Sequence, residues 1–198
     1  MIGELTPLQK ERREKILSAA AHYFSRVPFH KADMEQIAQQ AGVGKGTLYR
    51  YFKNKSDLYA RTIEYTLEQA FQFIQAEAQK ADSLVKYLEN IITAAVTYFH
   101  DNPVAFNIVL LSNTNRVETI TQLVLQIQEK YFKNFSQKFR EGVEKGLFKN
   151  LEPRIAIRVL NASILHLTYD LHAMQGYNRD EIIRHIKEIY LNGVLRTR

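Results

Sequence analysis

Residues 37–55 read IAQQAGVGKGTLYRYFKNK, which predicts two short helices joined by a tight turn. Ala41-Gly42-Val43 forms the turn, because glycine can take a positive φ there without steric cost. Asp33, with Gln36 three residues later, has the spacing of an N-cap and its capping box. The first helix should therefore begin directly after Asp33, and the second should follow the turn over about residues 44–51.

A longer helix precedes this pair, from about Pro7 to Ser25, and Val27-Pro28 ends it. In the helix after the turn, Val43, Leu48 and Phe52 should face the core. Five side chains then point outward: Lys45, Thr47, Tyr49, Arg50 and Tyr51. Three helices in a basic segment, the last two joined by a glycine turn, describe a helix-turn-helix, whose second helix enters the major groove of DNA.

The rest of the chain shows helical periodicity interrupted by stop and start signals such as Asp101-Asn102-Pro103 and Glu152-Pro153. No stretch alternates polar and apolar residues for long enough to predict a strand. Helices are expected over about residues 56–80, 83–101, 103–112, 117–146, 153–175 and 179–195. The sequence thus predicts an all-α fold, with a helix-turn-helix DNA-binding domain over residues 1–55 and a helical effector-binding and dimerisation domain over residues 56–198.

The charge is concentrated at the basic N-terminal end. The net charge of the chain is +6. Residues 1–58 hold 10 Lys and Arg against 6 Asp and Glu, so this segment carries +4, which is two thirds of the net positive charge. Such an end suggests a polyanion partner, usually nucleic acid, but by charge alone a merely solvated basic surface is an equal alternative. Lys10, Arg12 and Arg13 could form an arm that reaches the DNA backbone or minor groove, or could be disordered solvated charge.

Composition excludes several function classes. The absence of cysteine excludes disulfides, thiolate zinc sites and a cysteine nucleophile. No apolar run approaches the roughly 20 residues of a membrane span, and the N-terminus lacks the apolar core of a secretory signal, so we expect a cytoplasmic protein without membrane contact. No G-x-S-x-G, P-loop or Rossmann glycine pattern is present, so we expect neither an enzyme nor a cofactor.

Residues 37–55 resemble the signature of the TetR family of transcriptional regulators almost position by position, and the likeness extends over about residues 10–58. The resemblance implies a homodimer that binds a palindromic operator in double-stranded DNA and usually represses. It also implies a small-molecule effector, bound in the C-terminal domain, that shifts the two DNA-binding heads out of register.

The resemblance also implies roles for individual residues. Lys45 and Tyr51 fall on positions that read bases or adjacent backbone, whereas Thr47 and Tyr49 fall on positions that contact phosphate. Lys55 lies near a phosphate at the start of the fourth helix. Two further residues complete the expected DNA contacts: Gly46, where a missing side chain allows close backbone approach, and Arg50. Asp33 departs from the pattern, since it stands where a threonine often caps the helix, and a carboxylate can cap but repels phosphate.

For the effector, we expect a largely apolar molecule in an internal cavity, lined by aromatic residues and steered by a few polar groups. The predicted lining residues are Phe106, Asn107, Tyr131, His166, Tyr169 and Asp170. His166 and Asp170 are four residues apart on one helix face, a spacing that could also bind a cation, but no further ligand accompanies them and we expect no metal.

For the dimer, we expect the last two helices to pair with their symmetry mates through an apolar stripe. The stripe consists of Ala156, Leu160, Ser163, Leu167 and Leu171 on one helix and Ile182, Ile186, Ile189 and Gly193 on the other.

Two other function classes remain open. One is a helical enzyme or metal-dependent protein with an incidental basic end, and the other is a protein-interaction module whose helix-turn-helix no longer binds DNA.

Overall fold

The computed structural model describes residues 6–114, 118–173 and 177–196. Nine α-helices account for most of these residues: α1 Pro7–Phe24, α2 Met34–Gln40, α3 Lys45–Tyr51, α4 Lys55–Ala78, α5 Leu84–Asp101, α6 Pro103–Thr114, α7 Glu118–Glu144, α8 Pro153–Ala173 and α9 Arg179–Val194. A short 3₁₀ helix, Phe29–Lys31, was not expected. Within the described part of the chain, β structure is limited to one isolated bridge between Phe148 and Leu195, so the all-α prediction is confirmed. The predicted start at residue 117 and the predicted end at residue 175 lie outside the described residues.

The helices form two compact units, and the chain passes between them within α4, α6 and α7. The first unit consists of Met1–Leu67 with Asn107–Val124, and the second of Glu68–Phe106 with Leu125–Arg198. The predicted domain boundary at residue 55 stays a prediction.

In the first unit, α2 packs against α1 and α3, as a helix-turn-helix requires. Gly42 has a φ of +67°, so the predicted turn is present. The largest side chains of this core are fully buried: Ile16, Leu17, Phe24, Ile37, Leu48, Phe52, Leu58 and Ile63. Burial of this many aliphatic and aromatic groups holds the three helices together, since the seven-residue helices α2 and α3 would not be stable alone.

The N-terminus of α2 is capped as predicted, but the capping box has a different second half. The Asp33 carboxylate accepts the Glu35 backbone N–H at 2.8 Å, as an N-cap should. Gln36 does not close the box directly. Its side-chain oxygen accepts the Tyr23 hydroxyl at 2.8 Å, and this hydroxyl in turn accepts the Asp33 backbone N–H at 3.4 Å. The phenol is thus inserted between the two halves of the box and ties α1 to the start of α2.

In the second unit, α5 packs against α8 and α9, which also pack against each other. The Tyr190 hydroxyl of α9 donates to the Ala156 carbonyl of α8 at 3.1 Å, and burial raises the pKa of this phenol. The core of the unit includes Leu88, Ile92, Val96, Leu160, Ile164 and Ile186.

The predicted dimer stripe is only partly exposed: Ile189 and Gly193 are exposed, whereas four of its other members are buried. Ala156 and Leu160 on α8, and Ile182 and Ile186 on α9, are buried within the chain, because these rows pack in the contacts among α5, α8 and α9. The exposed large apolar side chains of the two helices are Ile155 (64% exposed), Val159 (54%) and Tyr169 (47%) on α8, none of which was predicted to lie in the stripe, and Ile189 (74%) on α9, which was. We call these four residues the α8–α9 apolar row.

Candidate DNA-binding surface and ligand site

The structure places the side chains of α3 as predicted. Leu48 and Phe52 are buried and Val43 is half-buried, which anchors one side of the helix in the core. The candidate DNA contacts lie on the other side: Lys45, Gly46, Tyr49 and Arg50 are exposed, and Thr47 and Tyr51 are half-buried. Neither Gly44 nor Gly46 has a neighbouring atom within 4 Å of the point where a Cβ would stand, so the backbone of α3 is open to a close approach at both positions.

Lys45 is held by a carboxylate of α2. Its ammonium donates to Glu35 Oε2 at 3.1 Å, and this hydrogen bond raises the pKa of Lys45. Both side chains are well exposed, so the pair adds little to stability. The contact with Glu35 places the Lys45 ammonium, at the start of α3, beside α2. The sequence contains no local signal for this pair, because the two residues are ten positions apart and on different helices.

Lys55 lies at the start of α4, as expected, but its ammonium is turned toward the protein. It donates to the carbonyl oxygens of Ala32 at 3.0 Å and His30 at 3.4 Å, and it lies 5.1 Å from the centre of the Phe29 ring. These contacts tie α4 to the segment that leads into α2. The phosphate contact implied by the family resemblance stays a prediction.

The start of α2 is acidic. Asp33 caps the helix, and Glu35 lies in its first turn. Carboxylates at a helix N-terminus are stabilised by the helix dipole, but they repel phosphate. Phosphate should therefore be repelled at the start of α2 by Glu35 as well as by Asp33.

The basic residues near the N-terminus lie within a helix. Thr6 and Gln9 form a capping box at the start of α1, which includes Lys10, Arg12 and Arg13. The Arg13 guanidinium lies 5.8 Å from the centre of the Phe52 ring, so this side chain is directed along the core. Lys10 and Arg12 are exposed.

The six predicted ligand-binding residues lie in different environments. Phe106 is buried, Asp170 is half-buried, and Tyr131 stacks on Phe71 with ring centres 4.2 Å apart. Asn107, His166 and Tyr169 are exposed. Tyr169 belongs to the α8–α9 apolar row, and His166 lies one helical turn before Asp170.

A different set of polar groups meets in the second unit, near the ends of α5 and α8. The His100 and His172 rings stack with centres 5.7 Å apart, and His172 Nε2 donates to the Phe99 carbonyl at 3.2 Å. Thr168 lies one turn before His172 on the same face of α8. Both Thr168 Oγ1 and His100 Nδ1 are buried without a hydrogen-bond partner. We call Thr168, His100 and His172 the two-histidine cluster. Only the i, i+4 spacing of Thr168 and His172 could have indicated it in the sequence.

A cleft of about 330 Å³ lies elsewhere in the second unit, between the end of α4, the start of α5 and the end of α7. Glu141 accepts Lys145 at 2.7 Å and Lys138 at 3.3 Å there, and these hydrogen bonds lower the pKa of its carboxyl. None of the predicted ligand-binding residues lines this cleft.

Within the described ranges, no three His, Asp or Glu side chains are grouped closely enough to hold a metal ion. A search of the same residues also finds no helix that is long and apolar enough to cross a membrane.

Comparison with known proteins points to one family. Residues 16–62 match the family model described as bacterial regulatory proteins of the tetR family. The chain is 25% identical over 188 residues to the uncharacterized HTH-type transcriptional regulator YhgD of Bacillus subtilis, with 91% of this chain and 95% of the relative covered. It is also 25% identical over 202 residues to the fatty acid metabolism regulator protein of Bacillus subtilis, with 93% and 98% covered.

The fold has a close counterpart among solved structures. The transcriptional regulator FadR from Bacillus subtilis, in complex with stearoyl-CoA, superposes with a TM-score of 0.81 at 21% identity, over 91% of this chain and 98% of that one. At this identity the likeness establishes the fold.

Proposed function

Since the chain belongs to the TetR family of bacterial transcriptional regulators, we propose that it is a repressor that binds a palindromic operator as a homodimer and is released by a small, largely apolar effector. Members of this family are regulators and not enzymes, and this chain is one of them. DNA binding by residues 1–55, effector binding and dimerisation by residues 56–198, and a cytoplasmic location belong to the same proposal.

One observation carries the DNA-binding part of this proposal. The helix α3 is anchored by Leu48 and Phe52 and presents Lys45, Tyr49 and Arg50 to solvent. A helix held in this way can enter the major groove, where Lys and Arg donate to base edges and phosphates and Tyr hydroxyls bond to phosphate.

The α8–α9 apolar row supports the dimer. Ile155 and Val159 lie one turn apart on α8, Tyr169 follows further along the same helix, and Ile189 is an exposed large apolar residue of α9. A two-fold axis would pair this surface with itself and remove it from water. A two-fold dimer also matches a palindrome with half-sites about 34–36 Å apart.

The effector proposal rests on the second unit and on the relatives. The unit is rich in aromatic side chains, and one relative of similar fold is described in complex with stearoyl-CoA. Acyl compounds are therefore the first effectors to test. Because α4 is continuous from the first unit into the second, displacement of this helix is the simplest link between effector and operator.

A mobility-shift titration tests the proposal, with the DNA upstream of the gene and random DNA as the two probes and salt as the variable. We expect tight binding to a palindrome that weakens steeply as salt increases, because counterions are released from the phosphates. Equal affinity for both probes, or no salt dependence, would contradict the proposal and favour an interaction module. An effector should also bind less tightly to the operator complex than to free protein, because coupling is reciprocal.

A further inference from the structure

Thr168 on α8 has a buried hydroxyl with no hydrogen-bond partner, and its side chain is 0% exposed. A hydroxyl in a helix can usually bond to the carbonyl four residues earlier. Four other residues of this chain do so, at 2.8–2.9 Å: Thr62, Thr66, Thr93 and Ser163. The Thr168 hydroxyl makes no such bond to the Ile164 carbonyl, so it is available to a partner outside its own helix.

His100 carries a second unsatisfied group. Its Nδ1 is buried without a partner, and its ring stacks on His172, one turn after Thr168 on α8. Because the Phe99 carbonyl can only accept, His172 carries a hydrogen on Nε2. Its Nδ1 is an acceptor in the neutral ring and a donor in the protonated ring. Buried polar atoms are almost always satisfied in folded proteins, so Thr168 Oγ1 and His100 Nδ1 are both candidates for contact with a ligand.

The cluster has buried phenylalanines on one side, and His172 is exposed to solvent on the other. The His172 ring lies 5.2 Å from the Phe106 ring, which lies 6.3 Å from the Phe99 ring, and both phenylalanines are buried. Asp101, the residue after His100, lies 3.6 Å from Arg179. A ligand for this place needs an apolar body and a polar end that accepts several hydrogen bonds.

We propose that the two-histidine cluster binds the carboxylate of the effector, so that the effector is an apolar carboxylic acid. This rests on the proposed function, because it specifies the effector of the same regulator. A carboxylate has about four lone-pair sites and no donor. The Thr168 hydroxyl can donate to it, and so can the His100 ring when its hydrogen is on Nδ1.

The test compares acids with uncharged analogues on the full-length protein. Octanoate, dodecanoate and hexadecanoate are titrated by calorimetry beside the alcohols and methyl esters of the same chain lengths. We expect at least one acid to bind ten-fold or more tightly than its alcohol and its ester. Equal affinities, or no binding of any acid, would overturn the proposal.

Thr168→Val, which keeps the shape and removes the hydroxyl, separates binding from folding. The ligand-free variant should melt at a higher temperature than the wild type, because an unsatisfied buried group has been removed. Its preference for the acid should nevertheless fall to three-fold or less, and His100→Gln should lower that preference too. Ser163→Ala is the matched control, since its hydroxyl is already satisfied by Val159 and its loss should leave the preference unchanged.

A Thr168→Val protein that keeps the full preference for the acid would overturn the assignment of the cluster. Operator binding, measured on the same preparations, keeps this result separate from the proposed function. If the wild type does not bind its operator, the proposed function is wrong whatever the acid titration shows. If it binds the operator but does not prefer acids, only the inference about the cluster is wrong.

Discussion

The Lys45 ammonium lies 3.1 Å from the Glu35 carboxylate, across the turn that joins α2 to α3. In the DNA-free protein, the first cation of the proposed recognition helix therefore already has an anionic partner. A phosphate or base acceptor must replace this partner, while Glu35 and the neighbouring Asp33 repel phosphates that approach elsewhere on α2.

We therefore expect Glu35→Gln to strengthen binding to random DNA more than binding to the operator. The substitution frees Lys45 for any phosphate and removes one repulsive charge, so the salt dependence on random DNA should steepen by up to about one unit. Fluorescence anisotropy with an operator duplex and a random duplex measures both effects. Glu77→Gln, which breaks a comparable exposed pair with Lys80 in the second unit, should change neither.

Lys45→Ala should weaken binding to the operator more than binding to random DNA. If the side chain reads a base edge, its removal should cost about 1–3 kcal/mol of discrimination between operator and random DNA. In the Lys45→Ala background, the part of the Glu35→Gln effect that acts through Lys45 should disappear, which a double-mutant cycle measures directly. An unchanged operator affinity in folded Lys45→Ala protein would show that this lysine does not contact DNA.

Lys55→Ala should weaken binding to all sequences alike and flatten the salt dependence by about one unit, if Lys55 contacts a phosphate. The structure adds a second consequence. The ammonium donates to the carbonyls of Ala32 and His30, so its removal should also destabilise the protein by about 1–3 kcal/mol. Thermal unfolding and salt titration separate the two roles. Lower stability with an unchanged salt dependence would leave Lys55 as a purely structural residue.

The features that were predictable from the sequence depend on neighbouring residues. The turn at Gly42 and the Asp33 cap each involve groups within a few positions of each other, and both are present. Contacts between distant segments were not predictable. The Tyr23 hydroxyl that enters the capping box is 13 residues from Gln36, and Lys45 is ten residues from Glu35.

The helix rows show a second limit. On α8, the row of Ala156 and Leu160 and the row of Ile155 and Val159 are both apolar, and both have helical spacing. Periodicity identifies such rows, but which row faces α5 and α9 depends on tertiary packing. For the same reason, the sequence pointed to His166 on α8, which is exposed, and missed the buried Thr168 two residues later.

Gly46→Ala should raise stability and lower DNA affinity together. Gly46 lies within α3 and nothing stands within 4 Å of its missing Cβ, so alanine should stabilise the helix by roughly 0.5–1 kcal/mol. If the backbone approaches DNA closely here, the added methyl group should still weaken operator binding. Gly193→Ala in α9, where nothing lies within 4 Å either, should also raise stability but leave DNA affinity unchanged, provided light scattering shows that the variant is still a dimer, because Gly193 lies one turn after Ile189. Unchanged affinity in Gly46→Ala would remove Gly46 from the proposed contacts.

Val159→Lys should convert the proposed dimer to a monomer. Val159 lies in the middle of the exposed row on α8, and a two-fold axis would place the two added charges close together in an apolar interface, where they would be desolvated and mutually repulsive. Light scattering at micromolar concentration should give twice the chain mass for the wild type and once the chain mass for the variant. The operator affinity of the Val159→Lys protein should also fall, because each monomer would then bind its half-site independently. Leu125→Lys on α7 is the matched control, since Leu125 is 47% exposed against 54% for Val159 but lies outside the row. A monomeric wild type, or a Val159→Lys protein that remains dimeric, would show that this row is not the dimer interface.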